Sequence, residues 1–303
     1  MSLPDPMQIP DDFRCGYVAL IGKPNVGKST LLNALMGQKL SIVTRKPQTT
    51  RHRILGIRSD EKRQIIFLDT PGIIQPRYKL QESMMHEVRG AIRDADVTIF
   101  MADATQDEPD TFSLKHLGEK RAILAINKMD LIRKEDVIPL VNAYVETRDF
   151  DEVIPISALN GENIDLLMEQ IDTRLPMGPP FYPPDMISEH PERFFVSEIV
   201  REKILEQYQQ EIPYSVQVNV ISHEERLEEE GKDLIHADIV VERGSQKGIL
   251  IGKGGKALKR LGTAARKDIE DFLGRPVFLK LHVKVRENWR ERESFLRSYG
   301  YRT

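Results

Sequence analysis

The stretch GKPNVGKS, Gly22–Ser29, decides how this chain must be read. Gly22, Gly27, Lys28 and Ser29 satisfy the spacing Gly-x4-Gly-Lys-Ser/Thr, with Lys23, Pro24, Asn25 and Val26 between the glycines. An apolar run, Tyr17 to Ile21, precedes it and a helical pattern, Thr30 to Met36, follows, which is the strand, loop and helix context that such a motif requires. The glycines let the backbone turn so tightly that its N–H groups, together with the positive end of the following helix, surround a β-phosphate. Lys28 would bring charge to the β- and γ-phosphates, and the Ser29 hydroxyl is one candidate ligand for Mg²⁺.

Working outward, four more short apolar runs end in loops that carry chemistry: Gln64 to Leu68, Val97 to Met101, Ala122 to Ile126 and Val153 to Ile156. Amphipathic stretches separate them. Buried parallel strands with helices on both faces of the sheet read this way, so the expectation is a doubly wound α/β domain. Arg53 to Ile57 and Gln64 to Leu68, separated by RSDEKR, could instead pair as an antiparallel hairpin at its edge.

A phosphate loop does not name the base; NKMD, Asn127–Asp130, does. The Asp130 carboxylate can accept two hydrogen bonds from guanine N1–H and N2–H₂, which adenine cannot offer, a difference of roughly 10⁴-fold. Asn127 would orient the base and the stem of Lys128 would lie along its face. In DTPG, Asp69–Gly72, Asp69 is placed to hold Mg²⁺ through water, and the Gly72 amide can sense a γ-phosphate. PQTTR offers Thr50, ahead of Thr49, to complete the metal shell. SAL, Ser157–Leu159, can present the Ala158 amide to guanine O6. Lys28, Thr50 and Gly72 are therefore the candidate catalytic residues.

These five elements, in this order, resemble the translation-factor-related GTPases, which implies a Ras-like α/β P-loop NTPase fold over roughly residues 15–176, GTP and GDP as ligands, and Mg²⁺. One departure bears on mechanism: Ile73 follows DTPG where a water-orienting Gln would stand in the Ras-like pattern, and an alkyl side chain cannot polarise water. Slow intrinsic hydrolysis is the expectation. The resemblance also implies a potassium ion at Asn25, which matches the asparagine that helps ligate potassium in similar GTPases.

At LPMGPPFYPPD the pattern stops, because Pro176, Pro179, Pro180, Pro183 and Pro184 cannot donate to a ladder or continue a helix. Residues 177–189 read as a semi-stiff connector, residues 1–14 as a loose N-terminal tail, and 287–303 as a C-terminal tail. Between connector and C-terminal tail, 190–286, the expected order is a helix from Phe194 to Gln210, strands Ser215–Ile221 and Leu234–Val241, a glycine turn, a helix Lys256–Leu273 and a strand Pro276–Val285. Leu258, Leu261, Ala265, Ile269 and Phe272 fall on one face of the second helix.

The turn is Gly252, Lys253, Gly254, Gly255, in ILIGKGGKALKRL. It lacks the Lys-Ser/Thr pair of a second nucleotide loop. Bare backbone at such a Gly-x-x-Gly can approach a sugar-phosphate chain and clamp about four nucleotides of single strand. Lys253, Lys256, Lys259 and Arg260 would meet phosphates; Ile249, Leu250 and Ile251 would floor an apolar groove. Charge agrees: although the whole chain carries −3, residues 189–242 carry −9 and residues 244–302 carry +9, and a basic block that concentrated points to a polyanion.

The order of elements resembles an α+β type II KH domain, and the combination with the GTPase motifs resembles the Era family of GTPases over nearly the whole chain. That resemblance implies binding near the 3′ end of 16S ribosomal RNA, a role in maturation of the 30S ribosomal subunit, no DNA partner, and a monomer. The alternative is a signalling switch acting on a protein effector, which would not explain the basic glycine loop. Cys15 is the only cysteine, so no internal disulfide or cysteine-rich zinc site forms and a cytoplasmic setting is expected; the start of the chain lacks the blocks of a signal peptide. Peripheral contact of the basic face with an anionic membrane stays open at this level.

Overall fold

The computed structural model describes residues 9–225 and 231–302. The first eight residues of the expected N-terminal tail, the middle of the acidic stretch EERLEEEGKD and Thr303 lie outside the described residues. The chain divides into two compact units, one running to Pro76 and resuming from Met84 to Glu189, the other made of Arg77–Ser83 and the chain from His190 on.

The first unit runs β1 (Arg14–Ile21), α1 (Lys28–Met36), β2 (Ile54–Ser59), β3 (Arg63–Asp69), then α2 (Lys79–Asp94), whose first turn belongs to the second unit, β4 (Val97–Asp103), α3 (Thr111–Leu114), β5 (Ile123–Asn127), α4 (Val137–Val145), β6 (Glu152–Pro155) and α5 (Ile164–Arg174). Its sheet has the order β2-β3-β1-β4-β5-β6. Only β2 runs antiparallel, at the edge, in a hairpin with β3. Val18, Ala19, Leu20 and Ile21 of β1 have no exposure, as a strand covered on both faces requires. The strand order reverses at β1, and the loop after β1 therefore opens at the carboxyl end of the sheet, where α/β folds bind ligands.

Expectations for three segments change here. Phe13, assigned to a loose tail, is buried in the core, and its carbonyl accepts from Gly178 N at 3.0 Å. The proline-rich segment 177–189 is not a free connector: it lies along the first unit. Gln64, fully buried in β3, donates from Nε2 to Tyr182 O (2.8 Å) and accepts at Oε1 from Phe181 N (2.8 Å) and Tyr182 N (2.9 Å). Ile187 O accepts from Ile57 N at 2.8 Å and Ser188 Oγ donates to Leu55 O at 2.6 Å, so the open edge of β2 finds partners. Prolines lack donors, but their carbonyls and intervening residues still satisfy a sheet edge.

The second unit contains α6 (Glu192–Gln207), α7 (Ile212–Ser215), β7 (Gln217–Glu224), β8 (Asp233–Val241), α8 (Gly244–Ile251), α9 (Lys256–Leu273), β9 (Val277–Val285) and α10 (Glu293–Ser298). β7 and β8 are antiparallel, β8 and β9 parallel, and the crossover between the parallel pair carries α8, the glycine loop and α9. Ile235, Ala237, Ile239 and Val241 of β8 share a core with Val196, Val200 and Ile204 of α6 and Leu261, Ala265 and Ile269 of α9. Phe272, expected on that face, is 37% exposed and rests against the Phe195 ring instead.

The third change concerns residues 287–303. Trp289 has no exposure and its indole N–H donates to Ser215 O at 2.9 Å; Leu296 is equally buried, and Tyr301 OH donates to Gln217 Oε1 at 2.8 Å. This is core, not tail: anchors spaced irregularly among charged residues carry no periodic signal. The same segment holds Arg77–Ser83. Leu80 N donates to Arg290 O at 3.0 Å, Lys79 pairs with Glu293 at 2.8 Å, Ser83 Oγ donates to Arg302 O, and the Arg290 guanidinium stands 4.9 Å from the Tyr78 ring centroid.

Candidate nucleotide site and nucleic-acid interface

Gly27, in the left-handed region at φ 100°, caps α1, so the first N–H groups of the helix face the loop. Lys28 is buried; its ammonium donates to Gly22 O (3.0 Å) and Lys23 O (2.7 Å). Burial pushes the Lys28 pKa down to about 8, against the pull of the Asp69 and Asp110 carboxylates.

Around Asp69 three hydroxyls converge. Ser29 Oγ donates to Asp69 Oδ2 at 2.7 Å and lies 3.0 Å from Thr50 Oγ1, while Ser41 Oγ donates to the same oxygen at 3.0 Å. Asp69 has no exposure, burial raises its pKa, and Oδ1 has no hydrogen-bond partner among the described residues. A buried carboxylate with an unsatisfied oxygen beside two hydroxyls is a hard-oxygen set that suits Mg²⁺. Of the two threonines, Thr50 reaches this cluster; Thr49 Oγ1 is bonded to Lys46 O at 2.7 Å. Ser41, which the sequence reading missed, arrives because Asn33 Oδ1 accepts from Leu40 N and Ser41 N, both at 2.8 Å.

Gly72 sits against the phosphate loop: a Cβ there would lie 2.4 Å from Pro24 N, so no other residue fits without displacing the loop. Ile73 N donates to Gly22 O at 3.0 Å, and its side chain, 2% exposed, is part of the core. Asn25, exposed, donates from Nδ2 to Arg45 O at 3.0 Å.

At the base end, Asn127 Nδ2 donates to Val26 O (2.8 Å), Lys128 Nζ reaches Asp103 Oδ2 (2.5 Å) and Asp130 Oδ1 accepts from Ser157 Oγ (2.6 Å). The Ala158 N–H, expected to face guanine O6, donates to Asn127 Oδ1 at 2.9 Å, so a base would share that donor.

These groups surround a cavity of about 490 Å³, within the range of small-ligand sites. Pro24, Asn25, Gly27, Lys28, Ser29, Thr30, Thr50, Gly72, Asn127, Lys128, Asp130 and the exposed Leu159 line it. Gly22, Val26, Asp69, Ser157 and Ala158 stand behind that lining. Lys23 does not line it either: its ammonium pairs with Asp110 at 3.2 Å. Ile42 to Arg45, Gln48, Thr49 and Leu131 complete the wall; nothing in the residue types of Ile42 to Arg45 and Gln48 announces it, only their place ahead of Thr50.

In the second unit Gly252, Gly254 and Gly255 all have positive φ, and a Cβ at Gly252 would lie 2.6 Å from Ala257 Cβ, so this loop must be bare. Lys253, Lys256, Lys259 and Arg260 are exposed, as expected. Of the three residues expected to floor the groove, one is enclosed and two are not. Leu250 is wholly buried in the core, Ile249 is 52% exposed, and Ile251 is only half-buried. The cleft, about 430 Å³, lies between α9 and β9: Leu258, Lys259, Gly262 and Arg266 on one side, Leu279 and Leu281 on the other. Helical spacing from Lys259 would have pointed to Gly262 and Arg266.

A family model described as a 50S ribosome-binding GTPase matches residues 17–128, and one described as a KH domain matches 211–290. The chloroplastic GTPase ERA1 of Zea mays is 53% identical over 297 residues, 96% of this chain and 71% of that one. The chain belongs to the Era GTPase family. The chloroplastic ERA-like GTPase of Arabidopsis thaliana is 52% identical over 295 residues, 95% and 69% of the two chains. A crystal structure of an Aquifex aeolicus Era variant bound to GDP and AlF4⁻ matches with a TM-score of 0.91 and 41% identity over 96% of this chain and all of that one. So does Era in complex with MgGDPNP and nucleotides 1506–1542 of 16S ribosomal RNA, with the same score, identity and coverage. As an Era GTPase the chain combines a GTP-hydrolysing P-loop unit with a KH unit.

Proposed function

We propose that this Era GTPase grips the 3′ end of 16S ribosomal RNA in the α9–β9 groove of its KH unit, hydrolyses GTP slowly, and acts in maturation of the 30S subunit. The observation that carries the proposal is a bare Gly-x-x-Gly loop, flanked by exposed Lys253, Lys256 and Lys259, opening onto a cleft that sets leucines beside Lys259, Arg266 and Lys280. That combination suits a single strand, with phosphates on the lysines and bases on Leu258, Leu279 and Leu281. Changing Lys253 and Lys256 to Asp should abolish binding of a 3′-terminal 16S RNA fragment and leave GDP affinity intact. Retained RNA binding would move the interface elsewhere. RNA binding that is absent from the unchanged protein would favour a protein effector.

On the nucleotide side, Ser29, Thr50 and, through water, Asp69 would hold Mg²⁺, which supplies positive charge to the β- and γ-phosphate oxygens. The chain's own part is positional. Lys28 and the loop amides surround the phosphates, Asn127 and Asp130 hold guanine, and the Gly72 amide meets the γ-phosphate. Ile73 offers no polar atom to a water nucleophile and is packed in the core, so slow turnover follows. Asn25 beside the Arg45 carbonyl is where potassium would bind; equal turnover in potassium and sodium buffers would remove that part.

The γ-phosphate can reach the RNA-binding unit because Gly72 lies five residues before Arg77–Ser83, which are folded into the second unit. A gate of this kind requires contacts that differ between GDP and GTP states. RNA affinity identical with GDP and with a non-hydrolysable GTP analogue would refute it. We place the protein as a monomer in the cytoplasm or an equivalent reducing compartment, consistent with buried, unpaired Cys15 and with the chloroplastic relatives. No described helix is long and apolar enough to cross a membrane.

A further inference from the structure

The end of β4 and the segment after it supply carboxylates to Lys128, which lines the nucleotide cavity, and to Lys23, which stands outside that lining. Asp103, at the end of β4, takes Lys128. Asp110, seven residues beyond Asp103, takes Lys23, and belongs to none of the five sequence motifs.

Asp110 is an expensive residue to keep. It is 6% exposed. Oδ1 accepts from Ser113 N at 3.0 Å, capping α3, and lies 3.2 Å from the Lys23 ammonium. Oδ2 is enclosed with no hydrogen-bond partner among the described residues. The backbone is fixed as well, since Asp110 N donates to the hydroxyl of buried Tyr144 at 3.3 Å. A half-satisfied buried carboxylate destabilises a fold, and Asn or Ser would cap α3 without the charge. The cap therefore does not account for it.

Lys23 does. Its side chain is 44% exposed, so it is held at one end by Asp110 and at the other by the phosphate loop. Its carbonyl is one of the two on which the buried Lys28 ammonium rests, at 2.7 Å. We infer that Asp110 is a positioning residue for the phosphate loop: by tethering the Lys23 side chain it fixes the Lys23 carbonyl, and through it the place of the Lys28 ammonium. The same tether keeps a second cation out of the phosphate cavity. This rests on nucleotide binding at that cavity.

The test is a double-mutant cycle on the full-length protein, read as the release rate of a fluorescent GDP. D110N keeps the acceptor for Ser113 and loses the charge; K23M keeps the stem and loses the ammonium. Each single change should speed release roughly fivefold, and the double change should be no faster than either, because both break one link. Because Lys28 moves with the tether, kcat should fall in both single variants and no further in the double variant, while K23R, which restores the cation, should return release and kcat to near the wild-type values, a rescue that a lost helix cap would not show. D110N releasing GDP at the unchanged rate, or single effects that multiply in the double variant, would overturn the inference. If D110N does not fold, K23M decides, since its position is partly exposed: wild-type release from K23M overturns the tether. Failure of the unchanged protein to bind GDP would instead count against the nucleotide site itself.

Discussion

Asp130 has one oxygen already engaged by the Ser157 hydroxyl at 2.6 Å, so the carboxylate is aimed before any base arrives. Asp130→Ala should weaken GDP binding by roughly 10²- to 10⁴-fold, because guanine loses an acceptor made for it, while the trace affinity for ADP stays level. Ser157→Ala should cost about tenfold, the worth of one orienting hydrogen bond to a charged group. Competition binding with both nucleotides measures each. Cys15 gives a pH prediction. Burial lifts its thiol pKa from 9.0 to about 11, opposed by a hydrogen bond from the Phe181 backbone. The folded chain thus keeps a proton that the unfolded chain releases near pH 9, and the stability from this group, intact below pH 9, should drain away as pH climbs to 11. Lys28, whose pKa burial holds down to about 8, contributes with the opposite sign, so the check is the difference: across that window urea unfolding of Cys15→Ala should lose less stability with rising pH than the unchanged chain. Folded Cys15 should also resist alkylation at pH 8. The chemistry of GKPNVGKS, DTPG and NKMD was legible because fixed local spacing carries it; Ser41, Asp103 and Asp110 were not, because only the fold brings them to the site.

Among elements, Gln64 is the instructive case. A glutamine in the middle of β3 reads as an interruption of an apolar run, yet its amide satisfies three backbone groups of the segment 181–182. Gln64→Leu would orphan those groups at about 1–3 kcal/mol each for any that stay buried. The expected result is a first unit destabilised by roughly 2–4 kcal/mol, with new protease cleavage within residues 177–189; an unchanged digestion pattern would contradict it. The strands were legible from apolar runs, and α9 from its three-and-four spacing, because burial imposes period on sequence. The docking of the proline-rich segment was not, since it is made by carbonyls and by one polar side chain a hundred residues away. Leu250, expected at the groove floor, shows a related limit. ILI before the glycine turn is apolar, but α8 points Leu250 into the core, and apolar character alone does not say which side of a helix a residue serves.

For the whole molecule the C-terminal segment matters most. Trp289→Ala should cost about 3–5 kcal/mol, the usual figure for a fully buried tryptophan, and should be felt by the KH unit; thermal unfolding with a KH-specific probe would show it. A fragment ending at Glu189 would keep Arg77–Ser83 but lose the partners of Tyr78, Lys79, Leu80 and Ser83. Amides at the start of α2 should then exchange with solvent faster than in the full chain, while those from Val88 onward hold. Seven residues from the middle of one module are thus lodged among the residues of another, and that interleaving limits how the protein can be taken apart. An engineer who wished to move the RNA grip onto a different switch could not splice at the proline segment alone: the donor's short run after DTPG would have to travel too, or the transplant would arrive with an empty socket beside Arg290.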